Sequence, residues 1–123
     1  MDLSTQSHLA VLRESLLYRL HELQTEVHAA ERAARGAAGA GGEVLDRKDD
    51  ASRRAGEAVG DAEERRDLDE LAQVQAALQR LDAGVYGDCV DCGQPIALER
   101  LRVQPAAERC AACQAARERL RRA

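Results

Sequence analysis

A mostly α fold is predicted, in which a long antiparallel two-helix coiled-coil hairpin leads into a small four-cysteine module and a short C-terminal helix. Three observations predict it: leucine and alanine recur in steps of three and four over two long segments, a glycine-rich stretch separates those segments, and two Cys-x2-Cys pairs follow. Composition agrees. Of 123 residues 33% are charged and 45% hydrophobic, much of that alanine, with no Phe or Trp and only Tyr18 and Tyr86 as aromatics. Such a chain suits exposed helices better than a thick globular core.

The first helix is marked by Leu9, Leu12, Leu16, Leu20, Leu23, Val27, Ala30 and Ala34, a stripe narrow enough for a coiled-coil seam. Four glycines fall between positions 36 and 42. Each costs roughly 1 kcal/mol relative to Ala in a helix interior, so the helix is expected to end near Arg35. A second helix is expected from about residue 50 to residue 83, with its clearest seam at Leu71, Val74, Leu78, Leu81 and Val85. At about 1.5 Å per residue, two helices of ~30 residues make rods of ~45 Å that pair across the glycine turn. Residues 1–83 then form the hairpin domain, with its tip at about 36–52. Towards that tip the seam becomes alanine-rich (Ala30, Ala34, Ala51, Ala55, Ala58, Ala62), buries less apolar surface and opens more readily.

Residues 84–123 change character at Gly84-Val85-Tyr86-Gly87 and continue with Gly93, Pro95 and Pro105, so short turns replace long helix until a last helix at about 112–121. Cys89, Cys92, Cys110 and Cys113 give two Cys-x2-Cys pairs separated by 17 residues. That spacing is the one read as a zinc site, because each pair sets two thiolates one tetrahedral edge apart. Gly93 follows the first pair, where a tight backbone lets amides turn back towards sulfur, and the second pair opens the last helix, whose dipole favours thiolate charge. With no other cysteine, all four ligands are used, no coordination position is left for catalysis, and one structural Zn²⁺ is expected. A redox dithiol would want a βαβ context, and disulfides an oxidising compartment. Arg100, Arg102 and Arg109 stand near enough in sequence to offset the negative charge of a four-thiolate cluster.

Asp46, Asp49 and Asp50 crowd at the start of the second helix. Helix capping accounts for one or two of them, since carboxylates at a helix start satisfy free N–H groups and complement the dipole. Their place at the far end of a thin rod also suits carboxylates that are carried into a deep channel.

The net charge is −4, from 18 basic and 22 acidic side chains, so whole-molecule electrostatics do not point to non-specific DNA binding. From Arg100 to Arg122, however, seven arginines face two glutamates. No apolar run approaches the ~20 residues of a membrane span, and the start Met1-Asp2-Leu3-Ser4 lacks signal-peptide character, so a soluble cytoplasmic protein is expected. His8, His21 and His28 lie on the first helix, far in sequence from every cysteine, and no nucleophile and base are paired; the chain is not expected to be an enzyme.

The stretch Gly84-Val85-Tyr86-Gly87-Asp88-Cys89-Val90-Asp91-Cys92-Gly93-Gln94-Pro95-Ile96, then Glu99-Arg100-Leu101, Pro105 and Cys110-Ala111-Ala112-Cys113, following a long helical hairpin, resembles the DksA/TraR family of bacterial RNA polymerase regulators. The family's tip pattern Asp-x-x-Asp-x-Ala reads here as Asp46-Arg47-Lys48-Asp49-Asp50-Ala51. The resemblance covers most of the chain. It implies a monomeric transcription regulator that enters the secondary channel of RNA polymerase, docks its zinc finger near the entrance and modulates initiation without reading promoter DNA. Under it Asp49 and Ala51, then Asp46, are the functional tip residues, and Arg66 is a contact to the channel rim. The family's part in the stringent response is less easily carried over: its basic ppGpp-contacting positions fall on Gln73, Gln104 and Gln114, neutral side chains unsuited to a polyphosphate. The leader before the first long helix is also short for the family, as in a divergent paralogue.

Two other classes remain open on the residues alone. A zinc-finger nucleic-acid binder would use Arg117, Arg119, Arg121 and Arg122, although the interleaved aromatics of single-strand binding are absent. A coiled-coil structural adaptor would work through the seam and be indifferent to the tip.

Overall fold

The computed structural model describes residues 7–39 and 47–122, with side chains described for 7–36 and 60–122. Among them the chain is mostly helical, as expected. Four helices follow one another: α1 (Leu9–Gly39), α2 (Arg47–Ala83), α3 (Leu98–Val103) and α4 (Ala111–Arg122). Extended structure among the described residues is confined to one antiparallel bridge, Asp88 to Pro95. Among the described residues no helix is long and apolar enough to cross a membrane.

Both long helices overrun their expected limits. α1 continues through Gly36 to Gly39 instead of stopping near Arg35. Ala33, Ala34 and Arg35 before Gly36 and Ala37 and Ala38 after it favour helix enough to carry the chain through that glycine, and nothing lies within 4 Å of where a Cβ at Gly36 would stand. α2 begins at Arg47 rather than residue 50.

The chain divides into two compact units, one of Met1–Leu20 with Ala72–Ala123 and one of His21–Leu71. In the first, the buried apolar side chains are Leu12, Leu16, Val74, Ala77, Tyr86, Cys89, Ile96 and Leu101. Arg13 Nη1 donates to Asp82 Oδ1 at 3.2 Å across 69 residues of sequence, so the beginning of α1 lies beside the end of α2, as antiparallel pairing requires. Both side chains are well exposed, and such a pair contributes at most about 1 kcal/mol. In the second unit Leu23 and Val27 are buried, Ala30 is half-buried and Ala34 is exposed. Burial thus thins along the stripe where leucine gives way to alanine.

The seam of α2 departs from its pattern at one position. Val74 is buried and Leu71, Leu78 and Leu81 are half-buried, but Val85 is 48% exposed. The helix has already ended. Gly84 takes a φ of 76°, its N–H donates to the Leu81 carbonyl at 3.2 Å, and the Val85 N–H donates to the Arg80 carbonyl at 3.0 Å. These two bonds are a Schellman motif with Gly84 in the left-handed position, and they turn Val85 outwards while Tyr86 is buried in its place.

Two glycines on α2 and at its end therefore should respond in opposite directions to the same substitution. A Cβ would meet nothing within 4 Å at either Gly60 or Gly84, but Gly60 is helical and Gly84 is left-handed. In denaturant unfolding, Gly60→Ala is expected to stabilise by about 0.5–1 kcal/mol, and Gly84→Ala to destabilise by about 1–2 kcal/mol.

Candidate metal centre

The second pair of cysteines sits at the start of α4, and the first lies in the turn after α2. The turn around the first pair is closed by backbone bonds: Gly93 N–H donates to the Cys89 carbonyl at 2.9 Å and Cys89 N–H to the Gln94 carbonyl at 2.8 Å. Gly93, with φ 75°, supplies the left-handed residue this reversal needs. Just outside it, Ile96 N–H donates to the Gly87 carbonyl at 2.7 Å. Val90 N–H donates to the Glu108 carbonyl at 2.9 Å, which joins the first cysteine turn to the strand of chain entering the second. From there α4 begins, with Gln114 N–H donating to the Cys110 carbonyl at 2.9 Å.

These bonds bring all four sulfurs together. Cys89, Cys92, Cys110 and Cys113 are free of disulfides, and their Sγ atoms all lie within 4.8 Å of one another. The Cys92 and Cys110 sulfurs are 3.9 Å apart. Thiolates at about 2.3 Å from one ion in a tetrahedron stand about 3.8 Å apart, so the spacing fits a single Zn²⁺. Disulfide bonding would need sulfurs at about 2.05 Å. Among the described residues this is the one His, Cys, Asp or Glu group placed to hold a metal.

The charge balance asks for a cation as well. Burial pushes the Cys89 thiol up, but backbone N–H groups of Cys92, Cys110 and Asp91 aim at its sulfur and bring it down to about 6. The Gln94 N–H favours the Cys92 thiolate most strongly of any single neighbour, but the Cys89 sulfur, burial and the Cys110 sulfur together outweigh it and Cys92 is raised. Cys113 is raised to about 12 by the sulfurs of Cys110, Cys89 and Cys92. One thiolate forms readily; at Cys92 and Cys113 a further one is opposed by the neighbouring sulfurs until a divalent ion offsets them. When bound, zinc supplies this module with a closed four-thiolate anchor and no open coordination position for chemistry.

The arginines expected to balance the cluster do something more specific. Arg109 Nε donates to Asp91 Oδ2 at 2.8 Å and its Nη1 pairs with Glu108 Oε1. Burial lowers this guanidinium, but Asp91 and Glu108 more than restore it and it stays charged. Arg100 Nε donates to the Arg109 carbonyl at 3.0 Å, and Arg102 lies 3.5 Å from His8 Nε2. Arg100 and Arg109 thus brace the loop entering the second cysteine pair.

Two contributors were not legible in the sequence. α3 is a six-residue helix between two prolines, too short to show a period, and it buries Leu101 against the module. Arg80, on α2, reaches the 104–109 loop: Nη2 donates to the Ala106 carbonyl at 3.5 Å, and Nη1 lies 3.9 Å from Glu108 Oε2. Tyr86 is fully buried and its Oη donates to the Pro105 carbonyl at 2.8 Å; burial raises this phenol to about 12, so it remains a donor.

Of the other residues singled out, Asp46, Asp49 and Ala51 lie outside those whose side chains are described, and Arg66 is exposed on α2. α4 buries none of its residues and ends in Arg119, Arg121 and Arg122, with Leu120 77% exposed.

Residues 84–119 match the family model of the prokaryotic DksA/TraR C4-type zinc finger. Among solved structures, that of transcription factor DksA2 from Pseudomonas aeruginosa is similar to this chain with a TM-score of 0.77 and 29% sequence identity, covering 99% of this chain and 89% of that one. No curated protein sequence matches it significantly.

Because zinc binding must expel protons from the higher thiols, metal affinity is expected to fall as pH is lowered, and zinc added to the metal-free protein in weak buffer to acidify it. Cys110→Ser should weaken zinc retention by orders of magnitude and open residues 84–119 to proteolysis; full retention with unchanged digestion would contradict the four-thiolate site.

Proposed function

We propose that the chain, whose residues 84–119 match the DksA/TraR C4-type zinc finger, is a bacterial transcription regulator that acts on RNA polymerase rather than on promoter sequence. The observation that carries this reading is the DksA2 likeness over nearly the whole chain, helices included, rather than over the finger alone. A finger on an unrelated scaffold would support only a metal-binding module.

In this reading the helical pair enters the polymerase's secondary channel and the zinc module stays near the entrance, with the protein acting as a cytoplasmic monomer. Asp46, Asp49 and Ala51 form the acidic tip that acts near the polymerase's active centre, and Arg66, exposed on α2, meets the channel rim. The tip works through charge, as carboxylates near bound metal and mobile basic elements, and catalyses no step itself. Regulation proceeds without ppGpp: Gln73 and Gln104 are neutral and exposed, and Gln114 Nε2 is engaged with Glu118 Oε1 at 3.1 Å. The exposed arginines of α4 favour a second reading, in which this helix contacts nucleic-acid phosphates.

Single-round transcription from a ribosomal RNA promoter by the cognate polymerase, with binding measured in parallel, separates these readings. Wild type and Asp49→Asn are both expected to bind polymerase, with only wild type changing promoter output, and ppGpp adding nothing. Equal activity of the variant would remove the tip from the account. Absence of polymerase binding, with tight and strongly salt-dependent binding to free DNA, would favour the nucleic-acid reading.

A further inference from the structure

A chain of charged side chains joins the last turn of α2 to both metal-binding turns, and none of its members is a metal ligand. Arg80 stands at its head. Its backbone carbonyl accepts the Val85 N–H that closes the Schellman motif, while its guanidinium, 14% exposed, turns towards the Ala106 carbonyl and Glu108. Glu108 also pairs with Arg109, and Arg109 reaches Asp91. Asp91 lies between Cys89 and Cys92, and Arg109 immediately precedes Cys110.

The arrangement makes Arg80 dependent on its neighbours. Burial lowers this guanidinium from its ordinary value, and Glu108 and Tyr86 only partly restore it. The Arg80 side chain is 14% exposed and that of Glu108 43%, so withdrawing Glu108 leaves the more buried charge uncompensated, which disfavours the conformation that buries it. The partners of Arg80 come from the loop of residues 104–109, and that loop leads directly into a ligand.

We propose that Arg80, Glu108, Arg109 and Asp91 form a coupling device by which zinc occupancy sets the order of the last turn of α2. With the thiolates gathered on one ion, the turns carrying Asp91 and Arg109 are held together and Glu108 is oriented towards Arg80. The Arg80 side chain then fixes the residue whose carbonyl caps the helix. When the turns part, Ala106 and Glu108 withdraw, the guanidinium swings into water, and the capped turn loosens with it. The Tyr86–Pro105 hydrogen bond is a separate, uncharged tie between the same two segments. Coupling of this kind is reciprocal, so a change that frees Arg80 must weaken zinc by the same factor that zinc tightens the turn.

Hydrogen exchange followed by mass spectrometry on the full chain, zinc-loaded and chelator-stripped, tests this together with zinc affinity from competition with a chromophoric chelator. In wild type, stripping should speed exchange over residues 78–86 by about tenfold. Arg80→Met should exchange fast there in both states and bind zinc about tenfold more weakly, whereas Tyr86→Phe should retain the zinc-dependent difference. Glu108→Gln, which preserves shape and removes the charge, should follow Arg80→Met and serves in its place should that variant fold poorly. A full wild-type difference in both charge variants, unchanged zinc affinity in them, or a wild type whose residues 78–86 ignore zinc would overturn the proposal.

Discussion

Four sulfurs converging on one divalent ion is the constraint on which the C-terminal part of this protein depends. Between Gly84 and α4 the chain has little regular structure: two left-handed glycines, a single bridge and a six-residue helix. Its buried side chains are few, chiefly Tyr86, Cys89, Ile96 and Leu101. Apolar burial at about 1.5–3 kcal/mol for each large side chain does not hold so short a segment against its conformational entropy. Structural zinc contributes on the order of 10 kcal/mol in comparable small sites, and it does so only when all four ligands are in place. The metal converts a loop-rich stretch into a fixed surface.

Polar contacts tie that surface to the end of α2. Tyr86 and Arg80 each grip a carbonyl of the 104–109 loop, and Arg100 grips a third. Each bond is modest alone, since protein hydrogen bonds contribute about 0.5–1.5 kcal/mol net. What they supply is direction: they fix which way the loop faces and how the end of α2 meets it. α4, in contrast, buries nothing and presents arginine and Leu120 to solvent. The module therefore has an inner side committed to the fold, and α4, tied to the site through Cys113, turns its C-terminal arginines to solvent.

The metal site was fully legible in the sequence because ligand spacing is a local property: Cys-x2-Cys places two sulfurs about one ion whatever surrounds them. The long helices were legible from the spacing of Leu12, Leu16, Leu23 and Val27, whose burial agrees with the stripe. Their ends were less so, because a glycine among helix-favouring residues has no fixed outcome; Gly36 was read as a stop and is helical, whereas Gly84 ends α2. Val85 continued the seam in sequence but not in space, because a period persists on paper after the helix has turned. Hardest to read were Arg80 and Glu108. Their partnership spans 28 positions, and nothing in one arginine among many marks which carboxylate it will meet. The resemblance that singled out Asp46, Asp49 and Ala51 rests on sequence pattern, and those residues lie outside the described side chains.

The most direct measurement of the central claim is zinc K-edge X-ray absorption on the protein as purified, with metal content determined on the same sample. One zinc per chain is expected, with a first shell of four sulfurs at about 2.3 Å and no lighter scatterer. A shell containing nitrogen or oxygen, a two-sulfur site, or metal-free protein whose cysteines are oxidised would contradict it.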